Sequence, residues 1–257
     1  MELIRSNRTE ALADALAAKV RNQPLGPFDK DVVVVQSRGM ERWLTLALTE
    51  RLGIWANPWF PFPRALIEWA LGELDAGQTE DTKAYDRARL KWTIAELLLD
   101  APPRDLAGYL SSSSDEDRVL RLSTSVASVF DEYVMYRPDL LKRWVSGKED
   151  HWQAALWRRV VDRLGPLDLA SRIDEGIRIL RSGKANDAIA LRRLHLFSLE
   201  TLPPLFLHFF SELAEVVPTL VYSLEPSNQY LGDIPTRSER AATGPRLFPP
   251  AALARRA

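Results

Sequence analysis

Apolar and polar positions change rhythm several times along this chain, and each change marks a predicted element. Residues 2–5 (ELIR) carry a short apolar stretch that predicts a strand. Behind it Leu12, Leu16 and Val20 recur every four residues, the spacing of one helix face, with Ser6 or Asn7 as the expected N-cap. "RNQPLGPFDK" holds two prolines and a glycine and reads as a loop. The run Val32 to Val35 predicts a strand covered on both faces. It ends at a polar hinge, Gln36-Ser37-Arg38-Gly39. A helix follows, with Met40, Trp43, Leu44, Ala47 and Leu48 on one stripe. The opening order is β-α-β-α, which predicts a parallel sheet.

"WANPWFPFPRALIEW" breaks that order. Pro58, Pro61 and Pro63 among aromatics predict a stiff, extended crossing segment with no regular element. From 64 to 190 the spacing is helical throughout, with segments near 65–75, 84–99, 104–110, 117–135, 138–145, 151–164 and 169–181. Breaks such as "APPRD" and "SSSSDED" separate them, and Ser114 before Asp115 to Asp117 marks a helix start with acids at its N-terminal end. Near 193 the first rhythm returns. "RLHLFSL" predicts a strand, "LPPLFLHFFSELAEVV" a helix with proline in its first turn, and "TLVYSLEP" another strand. The expected organisation is an α/β parallel-sheet domain (1–63, resumed at 191–234) with a large α-helical insertion (64–190). Residues 235–257 are polar and rich in Pro, Ala and Arg, and predict a disordered tail or a truncation point.

Composition narrows the function classes. The chain of 257 residues is 46% hydrophobic and 27% charged with a net charge of -1, so any nucleic-acid contact must come from a local patch. Arg outnumbers Lys 27 to 7, which a GC-rich genome explains most simply, although Arg is also the better residue for forked contacts to phosphate and guanine edges. With no cysteine there is no thiolate metal site, and His151, His195 and His208 are too scattered to suggest a metal cluster. The sequence has neither a signal-peptide core nor an apolar run of membrane-spanning length, so a cytoplasmic protein without membrane contact is expected.

The strand-turn-helix opening invites a search for phosphate chemistry. A phosphate loop needs glycines, so that backbone amides can cradle phosphate, and a lysine to reach the terminal groups. The turn here is "RSNRTEAL", with neither, so nucleotide hydrolysis is not expected. "SVASVFDEYV" superficially resembles a strand ending in a magnesium-binding Asp-Glu pair. Leu122, Val126, Val129, Phe130 and Tyr133 follow helical spacing instead, which predicts an amphipathic helix with Asp131 on its polar face. No nuclease carboxylate cluster, Gly-x-Ser-x-Gly elbow or His-Glu-x-x-His helix is legible. The sequence offers no catalytic residue, metal site or cofactor site.

Several motifs occur together in one order: "SNR" after the first strand, "VVQSRGMERWL", "GIWANPWFPFP", "FDEYVMYRPDLLKRW" and "LETLPPLFLHFFSEL…EPSNQYLGDI". This pattern resembles the amino-terminal part of the RecC family, the gamma subunit of bacterial exodeoxyribonuclease V, over roughly residues 1–234. The resemblance implies a superfamily-1 helicase-like architecture that has lost its ATPase motifs. It further implies a subunit that does no chemistry itself, working beside RecB-like nuclease-helicase and RecD-like helicase partners in double-strand-break repair and recombination. Such a subunit splits duplex ends, guides single-stranded DNA and scans it for the Chi signal. The family's signal-reading positions fall on Gln36, Arg38, Arg42, Phe62, Asp131 and Arg137. Arg38 and Arg42 stand where smaller or uncharged polar side chains are familiar, and Ser128 replaces an acid, so general strand binding is the expectation rather than reading of the same signal. The competing expectation is a protein-interaction module that keeps the fold without binding DNA.

Overall fold

The structure, a computed structural model, describes residues 1–26, 28–74, 84–110, 116–183 and 188–227. The strands are β1 (Glu2–Ser6), β2 (Asp31–Val34), β3 (Pro58–Trp59), β4 (Leu194–Phe197) and β5 (Thr219–Leu224). They form one sheet of order β1-β5-β4-β2-β3, and every pairing is parallel. Helices α1 (Thr9–Asn22), α2 (Arg38–Leu52) and α10 (Pro204–Val216) connect strands. Between β3 and β4 the chain runs through α3 (Pro63–Glu73), α4 (Arg87–Asp100), a 3-10 turn (Arg104–Leu106) and α5 (Ala107–Leu110). It continues through α6 (Glu116–Tyr136), α7 (Pro138–Val145), α8 (Trp152–Leu164) and α9 (Leu169–Arg181).

Successive side chains of a strand point to opposite faces, so the apolar run at β2 must be buried twice over. Val33 and Val35 pack with Leu12 and Leu16 of α1, Leu44 and Leu48 of α2, and Phe197 and Tyr222. Val32 and Val34 pack on the other face with Leu194, Leu196, Phe209 and the helices between β3 and β4. That second core is continuous from the sheet out to Phe130, Trp144 and Trp157, whose rings meet edge to face. Among the described residues no helix is long and apolar enough to cross a membrane.

The structure corrects several local expectations. The N-cap of α1 is Arg8, with no side-chain cap, and the Ser6 hydroxyl instead accepts from the Arg8 amide at 3.1 Å. Pro58 and Trp59 form a two-residue strand pairing with Asp31 and Val32, which proline tolerates because β3 is an edge. Pro63 opens α3, where its missing N–H costs nothing. On α2 the stripe is buried at Leu44, Ala47 and Leu48, whereas Met40 and Trp43 are only half-buried. Gly53 ends α2 with φ 80°, a backbone that L side chains rarely adopt. Ser114 and Asp115 lie outside the described residues, as do 228–257, and with them the predicted tail.

A polar group is buried at the amino edge of the sheet. Arg193 Nη2 donates to Asp31 Oδ1 at 2.7 Å and its Nη1 to the Gln23 carbonyl, while Trp55 Nε1 donates to the second Asp31 oxygen. Two residues further along β4, His195 is fully buried, with Nδ1 3.1 Å from the Tyr222 hydroxyl.

Candidate functional site

Because all strands run in the same direction, their carboxyl ends share one edge, and the loops after them meet there. In open parallel sheets this is where ligands bind. The edge is built from the hinge after β2, the start of α3 and the loop after β4.

Gln36 is the first residue past the buried run, and its amide is engaged at both ends. Nε2 donates to the Thr201 carbonyl at 2.7 Å, and Oε1 accepts from the Glu200 amide at 3.2 Å. Gln36 therefore clamps the β4–α10 loop. In the same loop Ser198 is buried with φ 48°, its amide donating to the Tyr222 carbonyl at 2.8 Å. A non-glycine residue in that region is strained, and the strand ladder holds it there. Ser37 caps α2, its hydroxyl accepting from the Met40 amide at 3.1 Å.

Arg38 opens α2. Its Nη1 pairs with Glu41 at 2.7 Å, and its guanidinium lies 5.2 Å over the ring of Phe62. Phe62 is the N-cap of α3, and the crossing segment is tied to β2 by the Val35 amide donating to the Pro61 carbonyl at 3.2 Å. Arg42, one turn along α2, is exposed, and among the described residues neither a hydrogen bond nor an ion pair engages its side chain. Arg38, Glu41, Arg42, Thr45 and Leu46 line an open groove of about 300 Å³, in which Leu46 is 60% exposed.

Asp131 is not on a polar face. It is 5% exposed and accepts from Arg64 Nη1 at 2.8 Å and Arg87 Nη2 at 2.9 Å. Arg64 also pairs with Glu68 at 2.8 Å. Burial works against the Arg64 charge, but the bonds to Glu68 and Asp131 outweigh it and raise its pKa. The carboxylate thus joins α6 to α4 and to α3, whose Arg64 lies two residues along the chain from Phe62.

Of the six expected positions, the structure brings Gln36, Arg38 and Phe62 to one edge. Arg42 follows on the same helix, and Asp131 is linked through Arg64. Arg137 is set apart at the joint of α6 and α7, where it is exposed and 4.0 Å from Asp139. Sequence reasoning missed Arg64, Arg87, Ser198 and the Glu200–Thr201 backbone. Only Arg64 left a local sign, its i,i+4 spacing to Glu68. Among the described residues no group of three or more His, Asp or Glu is placed to hold a metal ion.

The model of the RecC N-terminal domain matches residues 1–247. The chain belongs to the RecC family. Similar RecC relatives are each named as a RecBCD enzyme subunit. That of Escherichia coli (strain K12) is 28% identical over 251 residues, which is 91% of this chain and 22% of the relative. That of Haemophilus influenzae is 26% identical, covering 89% of this chain and 24% of the relative. That of Mycobacterium tuberculosis (strain H37Rv) is 31% identical, covering 72% and 19%. The chain therefore spans less than a quarter of the length of these RecC relatives.

Proposed function

We propose that this chain is a non-catalytic, strand-guiding part of a RecC-type subunit, acting in a helicase-nuclease complex for double-strand-break repair and recombination. In this reading the sheet is a superfamily-1 helicase-like domain without ATPase motifs, and residues 64–190 are its inserted helical domain. RecB-like and RecD-like subunits are the partners, in the cytoplasm, and they carry the nuclease and helicase activities. The carboxyl edge of the sheet faces single-stranded DNA emerging from a duplex end.

The observation that carries this reading is the stacked Arg38–Phe62 pair beside the unpaired Arg42 on that edge. A guanidinium over a ring offers an unpaired base a flat cationic surface, and an unpaired arginine one turn away offers phosphate a charge. Asp131 keeps the α3 end of the edge in place through Arg64. Gln36 shapes the edge through the loop that it clamps, so a direct base contact requires it to release Thr201 or Glu200.

The test is fluorescence anisotropy with the 257-residue chain on a panel of labelled single strands at several salt concentrations. The parent should bind with an affinity that falls as salt rises. A Gln36→Ala/Arg38→Ala/Arg42→Ala variant that is still folded should bind more weakly, with a changed order of preference among sequences. Unchanged affinity and preference in that variant would remove the DNA-facing edge and leave the protein-interaction module as the better reading.

A further inference from the structure

We infer that the path of the bound strand continues across the carboxyl edge to the far side of the sheet, where Arg8 holds a backbone phosphate. This rests on the strand-guiding reading above and adds a contact outside the hinge.

Strands β1 and β2 are both parallel to β4 and β5 and so end on the same edge, with β5 and β4 between them. Three strand spacings of about 4.8 Å place their ends about 14 Å apart, about four phosphates at the 3.4 Å spacing of a helical strand and fewer in a stretched one. Each strand leads into a helix at this edge, β1 into α1 at Thr9 and β2 into α2 at Arg38. The two helices pack on the same face of the sheet and are joined by the Arg51–Asp14 pair at 2.5 Å and by Arg21 donating to the Arg51 carbonyl. Arg8, the N-cap of α1, therefore lies at the same edge of the sheet as Arg38, which opens α2, and Arg42 one turn along it.

The arginines of this edge fall into two groups. Arg38 is paired with Glu41, Arg5 with Glu225 at 3.7 Å, and Arg64 and Arg87 with Asp131. Arg8 and Arg42 are exposed, and among the described residues no hydrogen bond or ion pair engages either guanidinium. An anion can take both without breaking an existing pair. The acids nearest to Arg8 in sequence leave it unbonded: Glu2 pairs with Lys19 and Asp14 with Arg51, and no bond joins Glu10 to it among the described residues. No aromatic residue occurs before Phe28, so the segment around Arg8 has no ring on which a base could stack. What Arg8 can offer is charge and forked donors, which suit phosphate and carry no sequence information.

The experiment compares the parent chain with Arg8→Ala, Arg8→Lys and Arg121→Ala on oligo-dT, oligo-dC and a mixed strand, by anisotropy between 50 and 200 mM salt. Arg121 is a control, exposed on α6. Arg8→Ala should make the log–log salt slope shallower by about 0.7, so that its deficit at 50 mM shrinks by about threefold at 200 mM, equally for all three strands. Arg8→Lys should restore the slope and Arg121→Ala should leave it unchanged. If the parent binds but Arg8→Ala matches Arg121→Ala, the Arg8 contact is overturned while the strand-guiding reading stands. A loss confined to one base composition would make Arg8 a base reader and overturn the phosphate assignment. A parent that binds no strand in a salt-dependent way overturns both. Because Arg8 is exposed and no hydrogen bond or ion pair among the described residues engages its guanidinium, Arg8→Ala should melt with the parent, and a lowered midpoint would contradict the free side chain on which the inference stands.

Discussion

Replacing His195 by leucine should make the fold less sensitive to acid. His195 sits between Val33 of β2 and Leu220 of β5, fully buried, with Tyr222 as the hydrogen-bond partner of Nδ1. Burial and then the neighbouring Arg193 charge hold its pKa down to about 3; Asp31 pulls upward and Lys19 pushes further down. In the unfolded chain the same imidazole titrates near 6.5. The folded pKa is the lower of the two, so acid protonates the unfolded chain first. The contribution of the neutral histidine is complete above about pH 6.5 and is lost progressively as pH falls towards 3. At 1.36 kcal/mol per unit, the loss is about 2 kcal/mol at pH 5 and about 4–5 kcal/mol by pH 3. For a domain with a stability of about 5–15 kcal/mol, the pH 5 figure alone is a large share. His195→Leu removes the titration and leaves the Tyr222 hydroxyl without its partner, a cost of about 1–3 kcal/mol that does not depend on pH. The assay is urea denaturation at pH 8, 6.5 and 5, followed by circular dichroism and tryptophan fluorescence. Between pH 8 and 5 the parent should lose about 2 kcal/mol more than the variant. Equal losses within about 0.5 kcal/mol would refute the buried neutral imidazole.

Two tryptophans should respond differently in the same assay. Trp157→Ala, at the centre of the ring cluster with Phe130, should cost about 3–5 kcal/mol, whereas Trp43→Ala, half-buried on α2, should cost about 1–2 kcal/mol; a reversed order would misplace the core. Asp131→Asn should lower stability by about 1–3 kcal/mol, and a loss below about 0.5 kcal/mol would mean that solvent satisfies Arg64 and Arg87 as well as the carboxylate does. Gln36→Ala should speed hydrogen exchange of the Glu200 amide, and unchanged protection would show that the loop holds itself without the clamp.

The order and type of the elements were legible in the sequence because they depend on neighbours three or four residues apart. The periodic spacing gave the two strand-helix units at the start, the helices between 64 and 181 and the returning strand-helix-strand, each to within a few residues of where it lies. The prolines misled at one place. Local reasoning saw the missing N–H of Pro58 but not that β3 would be an edge, where that donor is not needed. The missing phosphate loop was legible for the same local reason, since glycine and lysine are either present in a turn or not. What the sequence could not supply is every relation between distant segments. The order β1-β5-β4-β2-β3 places β4 and β5 between two strands that are consecutive in the chain, and no local spacing encodes that. Gln36 looks free to face a ligand, yet Glu200 and Thr201, 164 and 165 residues away, occupy its amide. Asp131 looks solvent-facing because carboxylates usually are. Its burial is decided by Arg64 and Arg87, 67 and 44 residues away, whose charges make a dry carboxylate tolerable. Side-chain type and spacing determine which element forms, but the cost of burying a polar group depends on partners that only the tertiary structure brings near.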